Sequence, residues 1–283
     1  LGARGASRCA GRCARLGATR LGGARMASKL ADATLPSLVF EDDDAFVVNK
    51  AAGRSYHAAT GDVGVLGDLR WMQAEGHFDY RGDLHSVHRL DNPTSGLLIF
   101  AKSASSQTAL SRAFEERAVL KYYVGISGRP PSRKMGKVVG DMEPSRRGCY
   151  KILRSTANPA VTHFTTRGIP FSEKKGLRFI LMKPETGKTH QLRVAMKSIG
   201  APFLGDERYA NSVDSEVEER CYLHSGAVFV HLPGRKMPIA AIAPPTSGTY
   251  FTSLEFGLIW RSVFPTDLLL APATLLAAHS LRT

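Results

Sequence analysis

The sequence predicts an α+β fold with a mixed, mostly antiparallel central sheet and flanking helices and loops. Three observations carry this expectation. Short β-branched and aromatic runs bounded by turn residues recur from Leu38 onward. Two of them sit close enough around a turn to form a hairpin, and helical spacing is confined to a few separate segments. Strands, hairpins and occasional helices in one chain of this kind indicate α+β.

Taken in order, Leu38-Val39-Phe40-Glu41 and Ala45–Asn49 read as two strands around an acidic turn at Asp42–Asp44. Residues 53–82 are polar and Gly-rich, with a short helix expected near Leu66–Ala74. Leu84–Leu90 and Gly96–Lys102 carry strand-like apolar residues and bracket the loop Asp91-Asn92-Pro93-Thr94-Ser95. Ser103–Arg117 reads as a helix: Ser103, Ser105 or Ser106 can cap it, and Leu110, Ala113, Phe114 and Arg117 fall at helical spacing. Lys121–Ser127 is an aromatic, β-branched strand. Residues 128–160 are polar and basic, and Val161–Thr166 and Leu177–Lys183 resemble strands of one sheet. Thr189–Ile199 reads as a helix capped by Thr189 and stopped by Gly200. Tyr222–Leu232 is a final long strand, with Pro-rich segments after it. The chain thus divides into a leader, 1–33, a globular domain, 34–260, and a C-terminal tail, 261–283.

Composition narrows the function classes. A hydrophobic fraction of 43% and a charged fraction of 22% are those of an ordinary globular protein. No run approaches the roughly 18 to 20 apolar residues needed to cross a bilayer, and the apolar tail around Leu268–Ala278 is interrupted by Pro272. Lys and Arg number 38 against 25 acids, a formal charge of +13 that suggests a polyanionic partner. Part of it belongs to the leader, where six Arg and Lys29 precede the first acid, Asp32; the rest keeps 31 basic against 25 acidic residues. The leader, Arg-rich and acid-free, has the composition of an organelle transit peptide for a mitochondrion or plastid. With Met26 as the true start, residues 1–25 would instead lie upstream of a cytoplasmic protein. The cysteines at 9, 13, 149 and 221 form no CxxC pair, no zinc spacing and no disulfide framework.

Three segments carry candidate chemistry. In Val87-His88-Arg89-Leu90-Asp91-Asn92-Pro93-Thr94-Ser95-Gly96 an acid follows a strand directly and precedes a turn, a place where catalytic groups are presented. Spacing alone favours an ordinary strand-ending Asp that bonds its own turn amides. In Pro184-Glu185-Thr186-Gly187-Lys188-Thr189-His190-Gln191-Leu192-Arg193, a phosphate loop would need Gly where Met182 stands, and that reading fails. What remains is a helix start projecting Thr189, His190 and Arg193. In Lys121-Tyr122-Tyr123-Val124 strand alternation puts Lys121 and Tyr123 on one side, as it would in any aromatic core strand.

Together these segments resemble the signature of RNA pseudouridine synthases acting on ribosomal and transfer RNA. His88-Arg89-Leu90-Asp91 with Thr94-Ser95-Gly96-Leu97-Leu98 is similar to the HRLD form of that family, the branch typified by bacterial large-subunit rRNA enzymes. Asn49-Lys50-Ala51-Ala52-Gly53, Lys121 with Tyr123, Thr186–Arg193, Gly200–Asp206 and Leu223-His224-Ser225 resemble its other motifs, in the same order across residues 38–232. Ala51 stands where the family has Pro, and Ala195 where a His often occurs. Residues 1–33 do not resemble the small RNA-binding domain that often precedes such catalytic domains, which shifts RNA capture toward the catalytic domain itself and its basic stretch at 128–151.

The resemblance implies a pseudouridine synthase catalytic fold over 34–260 and conversion of specific uridines in rRNA or tRNA to pseudouridine by base flipping. It makes Asp91 the essential carboxylate, as nucleophile or as base. Arg193 becomes its ion-pair partner, and Tyr123 the residue that stacks on the base and assists removal of the C5 proton. Arg89 would fill the gap left by the flipped nucleotide, with His88, Lys121, Thr189, His190 and Gln191 as further substrate contacts. RNA is the implied partner of a monomer, with no metal, no cofactor and no membrane. Two alternatives compete. One is a non-catalytic RNA-binding or RNA-folding protein that retains the fold. The other is carboxylate chemistry on free glycosides, which needs a second acid, and the sequence offers Asp91 no evident partner.

Overall fold

The computed structural model describes residues 35–56, 63–170, 174–211 and 218–264. The leader and its targeting reading lie outside the described residues, as does the apolar tail at Leu268–Ala278. Among the described residues the chain runs β1 (Ser37–Glu41), β2 (Ala45–Lys50), α1 (Gly64–Glu75), β3 (His85–Ser86), β4 (Ser95–Ala101), α2 (Ala104–Glu115), β5 (Val119–Ser127), β6 (Met135–Gly140), β7 (Met142–Pro144), β8 (Tyr150–Ile152), β9 (Ala160–Gly168), β10 (Arg178–Pro184), α3 (Gln191–Ser198), β11 (Leu223–Val230), β12 (Ile239–Ile242) and α4 (Leu254–Val263). No helix among them is long and apolar enough to cross a membrane.

The acidic turn makes the first hairpin. Asp42 Oδ1 accepts the amides of Asp44 and Ala45 at 2.9 and 2.8 Å, an Asx turn that sends β2 back along β1. The sheet then grows in the order β1-β2-β4-β11-β5-β10-β9-β6, with β3 on β4 and β12 on β11. All pairings are antiparallel except β4 with β11, where His224 lies opposite Ser95 and Ser225 opposite Gly96. At this junction a Cβ on Gly96 would stand 2.3 Å from the Ser225 carbonyl oxygen, and φ is +113°. Only glycine permits both.

Helices cover both faces. Phe46, Val48, Leu98 and Phe100 pack with Leu69 and Met72 of α1, while Ala45, Val47, Leu97 and Ile99 pack with Leu110 and Ala113 of α2. This period-two split explains why β2 and β4 read as continuous apolar runs: each strand is buried from both sides. On β5, Tyr123 joins the first cluster, whereas Tyr122, Val124 and Ile126 join an aromatic one built on Phe256 and Trp260 of α4. Ser103 and Ser253 cap α2 and α4 by accepting the amides of Ser106 and Phe256.

Four expectations need correction. Within Leu84–Leu90 only His85–Ser86 pairs as strand; the next free amide of β4, Ile99 N–H, donates instead to His88 Nε2 at 3.0 Å. The side chain stands in for a strand. Residues 128–160, read only as a polar, basic stretch without elements of its own, form β6, the outer strand of the sheet, and the β7–β8 hairpin. Thr189 does not cap α3; His190 occupies that position with φ +57°, and Gly200 ends the helix as expected, at φ +81°. Finally, β12 lies in the segment read as merely Pro-rich, and α4 carries the described body through residue 260 to Phe264.

Candidate active site

Asp91 is presented by a loop that is closed from behind. Its backbone carbonyl accepts Thr94 N–H at 3.0 Å, so the turn is made by main chain and the carboxylate is left free of it. The ordinary strand-ending reading therefore does not hold. Lys50, 1% exposed, donates to the carbonyls of Ala51, Arg54 and Asn92 at 2.9, 2.9 and 3.1 Å, and Gly53 N–H reaches the same Asn92 oxygen at 3.0 Å. The Asn-Lys-x-x-Gly segment thus grips the residue after Asp91. On the far side Ser95 Oγ lies 2.8 Å from His224 Nδ1 and accepts from Arg220 Nη2 at 2.6 Å, and His224 Nε2 donates to the Ala243 carbonyl. Both ends of the loop are fixed by buried polar contacts, which holds a functional group in place.

Arg193 comes from the first turn of α3. Its Nη1 meets Asp91 Oδ2 at 3.3 Å, while Nε and Nη2 meet Asp206 Oδ2 and Oδ1 at 2.8 and 2.7 Å. The Arg193 and Asp206 side chains are 3% and 0% exposed, against 19% for Asp91. Burial pulls the guanidinium pKa down, but the Asp206 hydrogen bonds and charge, with Asp91 behind them, raise it above the ordinary value. A permanently charged arginine therefore faces the one carboxylate of the three-residue set that opens to a cavity.

That cavity has a volume of about 590 Å³. Asp91, Tyr123, Arg193, Arg89, His88, Lys121, His190 and Gln191 all line it, and Thr189 does not: it is exposed outside the wall. Within the wall the roles differ. Gln191 is buried and saturated, accepting from Thr186 Oγ1 and Lys188 N–H and donating to Val161 O and Thr162 Oγ1, so it builds the Thr186–Lys188 turn. His88 stacks on Phe114 at 4.5 Å, and burial with the nearby Lys121 charge lowers its pKa to about 3. Burial also lowers the Lys121 pKa. The Tyr123 phenol is pushed up to about 12, first by burial and then by the Asp91 charge, while a hydrogen bond with Ser225 opposes the shift.

Asp206, Lys50 and the Arg220–Ser95–His224 chain were not singled out from sequence. Asp206, Lys50 and His224 sit inside segments that carried the resemblance, which was the available signal; burial and pairing give them their work. Asp206 is also the second acid near Asp91, but its oxygens are committed to Arg193 and to the amides of Arg208 and Tyr209. It is not a free partner for glycosidase chemistry. Among the described residues no group of three His, Cys, Asp or Glu could hold a metal ion.

The mostly antiparallel sheet with its flanking helices is the pseudouridylate synthase fold. The fold is shared with the human RNA Pseudouridylate Synthase Domain Containing 1 structure, at TM-score 0.64 and 21% identity, covering 83% of this chain and 98% of that one. The model of the RNA pseudouridylate synthase family matches residues 44–198. An uncharacterized RNA pseudouridine synthase of Haemophilus influenzae is 40% identical over 188 residues, 66% of this chain and 79% of its own length. The ribosomal large subunit pseudouridine synthase C of Rickettsia prowazekii is 30% identical over 218 residues, 76% of this chain and 69% of its own. The chain belongs to the RNA pseudouridylate synthase family and is an RNA pseudouridine synthase, an isomerase.

Proposed function

We propose that this enzyme isomerises specific uridines of rRNA or tRNA, with Asp91 as the catalytic carboxylate acting on a nucleotide flipped into the 590 Å³ cavity. The reaction breaks C1′–N1, turns the base, and joins C1′ to C5; C5 loses a proton and N1 gains one, so no redox step is involved. Those atoms are hidden in stacked RNA, which makes extrusion of the nucleotide necessary. The observation that supports the assignment best is the Asp91–Arg193 contact of 3.3 Å at the cavity wall, with the arginine held from behind by Asp206. A fixed cation on one side of the carboxylate orients it toward the cavity, as both attack at C1′ and removal of a ribose proton require. Tyr123 offers the base a ring to stack on, with a hydroxyl that stays protonated at neutral pH. The exposed Arg146 and Arg147 of the β7–β8 hairpin supply charge for the flanking strand.

The test is to map pseudouridines in total RNA from cells lacking the protein, re-supplied with wild type or Asp91→Asn. Sites restored only by wild type would establish Asp91 and name the substrate together, and their presence in organellar RNA would support the targeting reading of residues 1–30. Restoration by Asp91→Asn at the wild-type level would remove the carboxylate from the chemistry, and retained RNA binding without any site change would favour the non-catalytic alternative.

A further inference from the structure

One wall of the cavity carries a hydrogen-bonded chain that the chemistry above leaves unused. His190 Nδ1 lies 2.8 Å from Tyr209 Oη, and the same oxygen accepts the backbone N–H of Tyr150, in β8, at 2.9 Å. Tyr209 is 3% exposed. Its ring packs against the Arg193 guanidinium at 5.0 Å and the Lys197 ammonium at 5.6 Å, and Asp206 Oδ1 accepts its amide at 3.2 Å. The carboxylate that holds Arg193 therefore also holds the backbone of Tyr209. The Tyr150 ring meets His190 edge-on at 5.7 Å. His190 itself keeps a left-handed backbone, φ +57°, strained for a residue with a Cβ.

Counting hydrogens decides the tautomer. A phenol has one proton to donate and two lone pairs to offer. Tyr150 N–H fills one lone pair. Were Nδ1 protonated, the phenol would have to accept twice, and its own proton would need an acceptor other than His190, which no described residue supplies. With the phenol donating to Nδ1, every group is satisfied, as buried polar groups usually are. The imidazole hydrogen is then on Nε2. That nitrogen has no protein partner among the described residues and is not among their buried unpartnered atoms, so it is accessible, on a residue that lines the cavity. Burial above all keeps the His190 pKa below its ordinary value; Asp91 and Asp206 oppose that, while Arg193 and Arg208 reinforce it. The ring is neutral at neutral pH.

We infer that Tyr209 is a positioning residue that locks His190 as its Nε2–H tautomer, so that this N–H donates to an oxygen of the nucleotide held over Asp91. The inference rests on the cavity being the uridine site. The oxygen belongs either to the uracil ring or to the nucleotide's phosphate, and both take an uncharged N–H donor. Tyr150 ties the β7–β8 hairpin to the same chain, so the hairpin supports the donor as well as the flanking strand.

Two measurements test it. Imidazole 15N shifts of the free protein should show His190 protonated at Nε2 and bare at Nδ1, and Tyr209→Phe should give mixed tautomers; a wild-type ring protonated at Nδ1 overturns the inference. Kinetics on a uridine-containing RNA substrate give the second. In His190→Gln the side-chain amide falls near Nε2, and kcat/KM should stay within about threefold of wild type, whereas His190→Asn places its amide near Nδ1 and should lose about tenfold, the worth of one hydrogen bond. A purely backbone role predicts the opposite order, because Asn suits a left-handed residue better than Gln. Sulfur in place of the uracil oxygens, or a phosphorothioate beside the target, should erase the difference between wild type and His190→Asn in one case, assigning the acceptor; erasure in neither case sinks the donor role. The 15N result stands whatever the activity of Asp91→Asn, so failure of the catalytic reading and failure of this one are separable.

Discussion

Arg193 and Asp206 face each other through two parallel hydrogen bonds of 2.8 and 2.7 Å, whereas Arg193 reaches Asp91 through a single one of 3.3 Å. The arginine is thus bound firmly to the acid outside the cavity wall and lightly to the one on it. That asymmetry suits the catalytic role proposed for Asp91. Asp206→Asn breaks the buried pair from one side and leaves a guanidinium whose nearest carboxylate is Asp91. Removing one partner of a buried ion pair costs about 3–5 kcal/mol, and urea unfolding should show a loss of that order. Single-turnover isomerisation should fall further than RNA affinity, because Arg193 then closes on Asp91. An unchanged turnover rate would mean that Asp206 merely fills space.

Lys50 makes the next prediction. Its ammonium joins three carbonyls, one of them on Asn92, from a position 1% exposed. Lys50→Met keeps the stem and removes the donors, leaving those carbonyls short of a partner. Hydrogen bonds from a charged donor are worth about 1.5–3 kcal/mol each, but the variant is also spared the cost of burying an ammonium, so a net stability loss of about 3 kcal/mol is expected. Isomerisation should drop while RNA binding changes little, since the loop carrying Asp91 loosens. Lys50→Arg should not rescue it: a planar fork cannot direct three bonds to one point. Full activity in the Arg variant would show that charge alone, not this geometry, matters.

How far the sequence reached can be judged from particular residues. Alternation placed Lys121 and Tyr123 on one side, and both line the cavity. The acidic turn, the Ser103 cap and the Gly200 stop were legible because each is a local effect of a few neighbouring residues. The Leu84–Leu90 strand misled because a histidine side chain, not backbone, takes the Ile99 amide. Thr189 misled because the helix begins after a left-handed His190, a conformation uncommon enough in any non-glycine residue that the sequence does not announce it. Asp206 and Tyr209 acquire their roles only when residues distant in sequence are buried together, and no local pattern encodes that.

The β7–β8 hairpin yields a prediction about RNA rather than chemistry. Arg146 and Arg147 are exposed at its tip, and Arg208 Nη1 bonds the Arg147 carbonyl at 2.9 Å. Side chains that meet phosphates contribute to affinity without regard to sequence. Replacing Arg146 and Arg147 together by Ala should weaken binding to target and non-target RNA alike. The slope of log affinity against log salt should shrink by about 0.7 for each single-strand phosphate left without its arginine. Thermal stability should hold, because neither side chain enters the core. A selective weakening on the target sequence would instead make them base-reading residues.

His224 fixes how the fold responds to acid. It is 0% exposed, its Nε2 donates to the Ala243 carbonyl, and Ser95 Oγ sits at Nδ1 with the Arg220 guanidinium bound to the same oxygen, surroundings that disfavour a charged ring. Burial, with the Arg220 charge adding to it and the Ala243 bond opposing, lowers the pKa from 6.5 to about 3. Below pH 6.5 the unfolded chain takes up a proton that the native state refuses until about pH 3. Stability is therefore intact above this window and is lost through it as pH falls. One such proton steepens the loss by at most about 1.4 kcal/mol per pH unit. His224→Gln removes the titration, so although it should be less stable at pH 8, its stability should decline less steeply between pH 6 and 4. Urea midpoints at several pH values for both proteins would show the two curves converging toward acid. Parallel curves would mean that the ring already binds a proton in the folded state, and that the Ser95–His224–Ala243 chain behind the Asp91 loop is arranged differently.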